Sequence, residues 1–227
     1  MKQIVKKIRI QANILLITGL HIGGSKDNVE IGGIDNPVIK IMSDNGKPYI
    51  PGSSLKGKMR CLLEQIKGVK LGGSSLINSV FGFTDDKSIS KLIVRDAYLT
   101  NESVNKLEAC DNLDMPYTEN KYENTIDRYT GTTIKGGIRQ TERVPAGVSF
   151  KSEFIINVWK SDEQDEEKDK DNSLALFKDA INALENDYLG GSGSRGYGQI
   201  KFEGWKYYEA SKESEWKMKE VKDLITW

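Results

Sequence analysis

The chain has 227 residues, of which 33 are Lys or Arg and 33 are Asp or Glu, so its formal net charge is zero. Its length and its 37% hydrophobic content fit one soluble globular domain, and no apolar stretch approaches the roughly 18–20 residues that a membrane span needs. The single histidine, His21, excludes a two-histidine ribonuclease mechanism and a multi-histidine zinc site within this chain. The two cysteines, Cys61 and Cys110, lack metal-site spacing, which favours reduced thiols and a cytoplasmic protein.

The first half of the chain has a strand, a glycine-rich loop and a helix. Residues 7–16 alternate apolar and polar side chains, which predicts a strand, and residues 19–37 hold five of the 22 glycines. Residues 53–67 carry an apolar stripe at helical spacing, and Ser53 or Ser54 is the expected cap. A short helix over 74–81 and a strand over 91–100 follow.

The second half begins with a polar segment, 117–145, which predicts a projecting hairpin or a long loop. A strand over 149–159, a helix over 173–188 and a strand over 199–208 complete the pattern, and the last residues suggest an appended helix. Between them, residues 161–171 hold seven acidic side chains and two lysines, which predicts a solvated, mobile loop. The order βαββαβ predicts an α+β protein with a ferredoxin-like, RRM-like core.

Two glycine motifs resemble nucleotide-binding strings but lack their context. GSGSRG at 191–196 follows a helix and precedes a strand, the reverse of a dinucleotide-binding turn. Five glycines within residues 190–198, around Arg195, favour a loop whose backbone lies against a sugar-phosphate chain, with a flexible connector as the alternative. GSSLKGKM at 52–59 has Met59 where a P-loop needs Ser or Thr, which argues against an NTPase, although a helix start with Lys56 is a candidate anion site.

Several carboxylates and His21 have open interpretations. Asp35, in GGIDNP, is either a turn former or a group that binds a divalent cation or orients a 2′-hydroxyl. His21 is a general acid or base, a phosphate contact or a structural residue. Glu119, Glu123 and Asp127 lie in the predicted hairpin, where we expect them to be solvated or paired with its arginines.

Taken in order, seven segments resemble one family: TGLHIGG at 18–24, EIGGIDNPVI at 30–39, YIPGSSLKGKMRCLLE at 49–64, VFGF at 80–83, IVRDAYL at 93–99, YENTIDR at 122–128 and DYLGGSGSRGYGQIKFE at 187–203. They resemble the RAMP superfamily, and within it the backbone subunits of type III-A CRISPR (Csm) effector complexes. The resemblance implies a single RAMP domain over residues 1–227. Its palm would span about 5–100 and 146–208, with a thumb insertion at about 101–145, the acidic loop at 161–171 and a tail at 209–227.

The resemblance also implies a function. The subunit would form a helical filament on CRISPR RNA and cut complementary single-stranded target RNA at regular intervals. The cut would use the 2′-hydroxyl of the RNA and a divalent metal, with Mg²⁺ expected. Asp35 is then the catalytic candidate and a possible metal ligand, no other ligand being assigned. The implied RNA-binding residues are His21, Ser53, Ser54, Lys56, Lys58, Arg60, Arg128, Arg139, Gly191, Ser192, Gly193 and Arg195.

Implied partners are copies of the chain, the large polymerase-like subunit, the small subunit and RAMP end-cap subunits, with no membrane. Two alternatives remain open: an inert guide-binding scaffold, and a stand-alone ribonuclease that processes precursor RNA through His21. Residues 1–70 carry a basic surplus of seven and residues 161–227 an acidic surplus of six. This ordering predicts a basic RNA-facing side balanced by acidic surface elsewhere.

Overall fold

The computed structural model describes residues 3–24, 36–85, 87–113, 115–160, 165–222 and 224–225. In chain order the elements are β1 (Gln3–Leu16), β2 (Tyr49–Ile50), α1 (Gly52–Ile66), α2 (Ser75–Phe81), β3 (Leu92–Val94), β4 (Ala97–Leu99), α3 (Asn101–Glu108), β5 (Glu119–Ile126), β6 (Thr133–Arg143), β7 (Ser149–Lys160), α4 (Glu166–Glu185), a 3₁₀ turn (Gly193–Arg195), β8 (Ile200–Ser211) and β9 (Lys219–Val221).

One mostly antiparallel sheet organises the chain into a mixed α/β protein. Its strands lie in the order β2-β4-β7-β1-β8-β9, and β3 pairs with β7 beside β4. Strand β1 pairs along most of its length with both β7 and β8, so it occupies the centre of the sheet. Strands β5 and β6 pair with each other as a separate antiparallel hairpin within the polar segment 117–145.

The core forms where α1 and α4 cover one face of this sheet. Alternate residues of β1, among them Ile8, Ile10 and Ile14, are fully buried, which is the periodicity that predicted the strand. Phe154 of β7 meets Phe177 of α4 edge-on, with ring centroids 5.0 Å apart. Burial of such side chains contributes roughly 1.5–3 kcal/mol each, so this face fixes the sheet against the helices.

The structure confirms the strands over 7–16, 149–159 and 199–208 and the helices over 53–67 and 74–81. It corrects the single strand over 91–100, which is interrupted at Arg95 and Asp96 because one extra residue is accommodated opposite β7. The prediction of an appended C-terminal helix is also wrong for the described residues. There, β8 runs on to Ser211 and pairs with β9.

The prediction of a mobile acidic loop is wrong from residue 165 onward. Asp165 caps α4 by accepting the Lys168 amide, and the acidic side chains after it lie in the first turn, where the helix dipole favours negative charge. Asp169 is buried, pairs with Lys91 and accepts the Trp159 amide at 2.9 Å. Residues 161–164 lie outside the described part of the chain.

Asp169→Ala should lower the free energy of unfolding by about 3–5 kcal/mol, because it leaves the Lys91 ammonium buried without its carboxylate. Urea denaturation measures the loss. The control is Glu167→Ala, whose carboxylate is 61% exposed and 3.7 Å from Lys6. That change should cost less than about 1 kcal/mol. Equal losses for the two variants would contradict a structural role for the buried pair.

Candidate nucleic-acid interface

The glycine loop, residues 190–198, joins α4 to β8 in a tightly fixed conformation. Ser192, Gly196 and Gly198 have positive φ angles of 61°, 82° and 71°. A Cβ atom on Gly198 would lie 1.9 Å from the Leu189 carbonyl oxygen, and one on Gly193 would lie 2.0 Å from the Tyr188 ring. These positions therefore require glycine, which is more than a flexible connector would need.

His21 lies between this loop and β6. Its carbonyl accepts the Gly191 amide at 2.8 Å, and its Nδ1 lies 2.7 Å from the Glu142 carbonyl oxygen. Since a carbonyl oxygen can only accept, Nδ1 carries the hydrogen in that bond. Of the predicted binding residues, His21, Gly191, Ser192, Gly193 and Arg195 are thus brought together.

Arg195 connects the glycine loop to the hairpin. Its Nε donates to Glu123 Oε2 at 3.1 Å, and its Nη2 donates to Ser192 Oγ at 2.5 Å. Lys121 Nζ donates to the Arg195 carbonyl oxygen at 3.2 Å. Glu123 therefore pairs across to the loop, whereas Glu119 pairs within the hairpin, with Arg143 at 2.6 Å.

Tyr197, 1% exposed, packs beneath two cations of the hairpin. Lys121 Nζ lies 4.2 Å and the Arg143 guanidinium 5.3 Å from its ring centroid, within cation–π range. Burial and the nearby Glu123 carboxylate raise the pKa of Tyr197, so its phenol stays protonated. The aromatic ring thus holds the base of the hairpin against the glycine loop.

The basic side chains of α1 point to different places. Lys58 lies 3.6 Å over the Tyr188 ring and 3.0 Å from Asp187, next to the glycine loop. Lys56 instead donates to Ser90 Oγ at 2.6 Å and to the Leu92 carbonyl at 2.8 Å. Burial and the neighbouring Arg60 lower the pKa of Lys56. Lys58 is therefore the lysine of α1 that shares the loop's surface.

Arg60 ties α1 to α2. It donates to the Gly82 carbonyl at 2.5 Å, to Asn78 Oδ1 at 2.9 Å and to Glu64 Oε1 at 3.0 Å. Arg60 and Lys56 thus both hold neighbouring segments against α1. RNA binding by these two residues stays a prediction, and their contacts within the protein do not favour it.

The start of α1 differs from the prediction. Helix α1 begins at Gly52 with Pro51 as its N-cap, so the expected cap by Ser53 or Ser54 is wrong. The Gly52 amide donates to Asp96 Oδ1 at 2.7 Å, which means that a carboxylate of the chain already occupies the predicted anion position. Ser53 is exposed and Ser54 half-buried.

The hairpin presents two different faces. Lys121 and Glu123 face the glycine loop, while Tyr122, Ile126 and Ile138 on the strands and Tyr129 at the tip are all more than half exposed. Asp127 closes the turn by accepting the amides of Tyr129 and Thr130, which lowers the pKa of its carboxyl. Arg128 is exposed at this turn, and Arg139 donates to Thr125 at 3.2 Å.

Glu142, a buried residue of β6, makes several bonds behind this surface. Its carboxylate, 1% exposed, accepts the Val38 amide at 2.8 Å and the Thr118 hydroxyl at 2.6 Å and pairs with Lys40 at 2.5 Å. Its own amide donates to the Asn36 carbonyl at 3.1 Å. Asp35 lies outside the described residues, and the chain after it is held to β6 by these bonds.

The predicted charge distribution needs a correction. Several cations of this surface pair with carboxylates of the same surface: Arg195 with Glu123, Lys58 with Asp187, and Arg143 with Glu119. The positive charges of this surface are thus partly neutralised on the surface itself, and not only by acidic surface elsewhere.

The described residues contain no group of three or more His, Cys, Asp or Glu side chains suited to hold a metal ion. None of their helices is both long and apolar enough to cross a membrane.

Sequence reasoning missed Glu142, Tyr188 and Tyr197. Tyr188 and Tyr197 flank the glycine motif, and this closeness in sequence could have indicated that they belong to the same site. Glu142 had no such signal, because its importance arises from burial by segments distant in sequence.

Comparison with known proteins places this site in a family context. Residues 13–201 match the family model described as the RAMP superfamily. Proteins named "CRISPR system Cms endoribonuclease Csm3" are similar to the chain. The one from Methanocaldococcus jannaschii is 45% identical, with 96% of this chain and 90% of the relative covered. The one from Streptococcus thermophilus is 43% identical, with 87% of each covered.

A solved structure is also similar. It is described as the Csm3-Csm4 subcomplex of the type III-A CRISPR-Cas interference complex. The matched chain aligns with a TM-score of 0.58 at 33% identity, covering 96% of this chain and 89% of that one.

Glu142→Gln should accelerate amide hydrogen exchange over residues 36–40, because a neutral amide pairs less well with Lys40 and the Val38 amide. Exchange measured by mass spectrometry should change there more than in β1. Glu119→Gln, which neutralises the half-exposed partner of Arg143, is the control and should leave residues 36–40 unchanged. Unaltered exchange in Glu142→Gln would show that other contacts hold this segment.

Proposed function

The chain belongs to the RAMP superfamily, and from that premise we propose that it is the guide-binding, target-cleaving backbone subunit of a type III-A CRISPR (Csm) effector complex. The observation that carries the proposal is the glycine loop, whose backbone and Arg195 are fixed beside His21 and the base of the hairpin. Relatives similar over nearly the full chain are named endoribonucleases.

We propose a ferredoxin-like, RRM-like core. Helix α1 follows β1, and α4 follows β7; the central order β4-β7-β1-β8, with every pair antiparallel, supports this topology. The palm would consist of this sheet with α1 and α4. The hairpin β5–β6 would be the thumb.

Guide RNA would bind along the glycine loop through its sugar-phosphate backbone. Glycines without side chains permit close approach, and an exposed arginine beside them can pair with phosphate. Lys58 and His21 adjoin the same loop, and a cavity of about 580 Å³ between Thr18, Tyr188 and Tyr197 opens beside it. Backbone contacts carry no sequence information, which suits a protein that accepts any guide.

The outer face of the hairpin would contact bases. Tyr122 and Tyr129 are 62% and 100% exposed, and Ile126 and Ile138 lie beside them on the strands. Apolar and aromatic side chains of this kind stack on or wedge between bases. A thumb that displaces a base pair would free the target's sugar-phosphate chain to approach in-line geometry, which is a positioning effect. Arg128 and Arg139 would add phosphate contacts.

Cleavage would proceed by attack of the target's 2′-hydroxyl on the adjacent phosphorus. The P–O5′ bond breaks, leaving a cyclic 2′,3′-phosphate and a 5′-hydroxyl. Asp35 is the proposed catalytic residue, and a divalent cation, expected to be Mg²⁺, would supply charge stabilisation. The described residues hold no group of three or more candidate ligands for such an ion, and Asp35, which lies outside them, is the ligand we propose.

The proposed partners are CRISPR RNA, single-stranded target RNA, copies of the chain in a filament and the other Csm subunits. These include the large polymerase-like subunit, the small subunit and the RAMP end caps. The similar structure from a Csm3-Csm4 subcomplex supports assembly with other subunits of this kind. Such a complex would act in the cytoplasm.

Asp35→Ala should abolish regular-interval cleavage of a complementary target by the assembled complex, slowing it by at least about 100-fold while leaving target binding intact. Chelation of divalent cations should do the same to the unmodified complex. Products on denaturing gels and binding by filter retention measure the two effects. The control is Asp44→Ala, which removes an exposed partner of Lys47.

Full cleavage by Asp35→Ala would favour the inert-scaffold alternative for this subunit. Processing of precursor RNA by the isolated chain, if lost in His21→Ala, would favour the stand-alone ribonuclease.

Arg195→Ala should weaken guide binding similarly for unrelated guide sequences and lower the slope of log K against log salt by about one. Fluorescence anisotropy with three guides over a range of salt concentrations measures both. Lys217→Ala, which removes a charge that is 77% exposed near the C-terminal turn, is the control. A defect confined to one guide would contradict binding through the backbone.

A further inference from the structure

The ion pair between Arg195 and Glu123 lies on the proposed guide surface at the position where a phosphate is expected. Arg195 is the cation placed among the glycines, and its side chain is 55% exposed. Its Nε nevertheless faces both carboxylate oxygens of Glu123, at 3.1 and 3.4 Å. The group best placed to receive a phosphate is therefore already bound to an anion of the same chain.

Glu123 is held firmly in this place. Its side chain is only 15% exposed, and it lies on the face of β5 that carries Lys121, whose Nζ is 3.8 Å from the same carboxylate. Lys121 also donates to the Arg195 carbonyl and packs on Tyr197. A flexible surface glutamate would spend little time on one partner, whereas this one is fixed by its strand and its neighbours.

Carboxylate and phosphate compete for a guanidinium because both offer paired oxygen acceptors with the geometry that its N–H groups match. We propose that Glu123 occupies, in the RNA-free chain, the anion position that a guide phosphate takes on Arg195, which makes it a selectivity residue against stray RNA. This inference rests on the proposed function, since it assigns a second role within the same guide surface.

Binding at this position is then an exchange of one anion for another. A short RNA that touches one copy of the chain must break the Arg195–Glu123 pair for the sake of a few phosphate contacts. A guide that spans many copies makes the same exchange at each one and gains contacts along its whole length, so the loss is offset cooperatively. The exchange also loosens the hairpin base from the glycine loop, because Glu123 is one of the groups joining them.

The test uses the full-length chain and a fluorescein-labelled single-stranded RNA of random sequence, with affinity measured by anisotropy. Glu123→Gln should raise the affinity about three- to fivefold, the range expected for loss of one competing pair at a half-exposed site. Glu215→Gln removes the same charge from an exposed pair with Lys217 and should change affinity less than about twofold. Glu123→Ala should reproduce the gain if the glutamine variant folds poorly.

The decisive measurement is the double variant. In an Arg195→Gln background the gain from Glu123→Gln should disappear, because the carboxylate acts through this arginine. A gain that persists there would reflect long-range charge alone and would overturn the inference. If Arg195→Gln weakens binding while Glu123→Gln changes nothing, guide binding by the loop stands and the selectivity role fails. If neither variant differs from the unmodified chain, Arg195 does not contact RNA and both proposals fail.

Discussion

A carboxylate that is 1% exposed has lost nearly all of its hydration, and Glu142 recovers that free energy from Lys40, the Thr118 hydroxyl and the Val38 amide. These partners come from two places that precede the hairpin in sequence: the segment with Val38 and Lys40, and Thr118 next to β5. Because the Glu142 carbonyl also accepts the bond from His21, the same residue fixes the edge against which the glycine loop packs. The segment after Asp35, the hairpin and the glycine loop are therefore connected through Glu142, by its carboxylate and, by way of His21, by its carbonyl oxygen.

Local sequence patterns were sufficient to predict most of the helices and strands. Alternation in β1 and the apolar stripes of α1 and α4 record burial directly, so their type and approximate bounds could be predicted. The patterns failed where tertiary contacts override composition. The start of α4 looks like a solvated acidic stretch, and it folds because Asp165 caps it and Lys91 neutralises Asp169 inside the protein. The break between β3 and β4 depends on register against β7, which no local pattern records.

The site was predictable to a smaller extent than the fold, since the type of a residue indicates its chemistry but not where its side chain points. Arg195 and the glycines lie together as expected, because a glycine motif marks close backbone approach. The basic stripe of α1 is different: Lys58 turns toward the loop, while Lys56 and Arg60 turn toward carbonyl groups of neighbouring segments. Spacing along a helix cannot distinguish these two outcomes when other elements pack beside it.

The ion pairs on the proposed guide surface give a physical explanation for the neutral charge of the chain. If the acidic side chains lay only on a remote face, the surface around Arg195 would attract any polyanion. With a carboxylate already on each of Arg195, Lys58 and Arg143, these three cations are not available to a polyanion until it displaces a carboxylate. A displacement of this kind contributes little at a single site, whereas repeated along a continuous phosphate chain it favours a long guide over scattered RNA. The proposed assembly of many copies on one RNA is therefore compatible with a neutral chain.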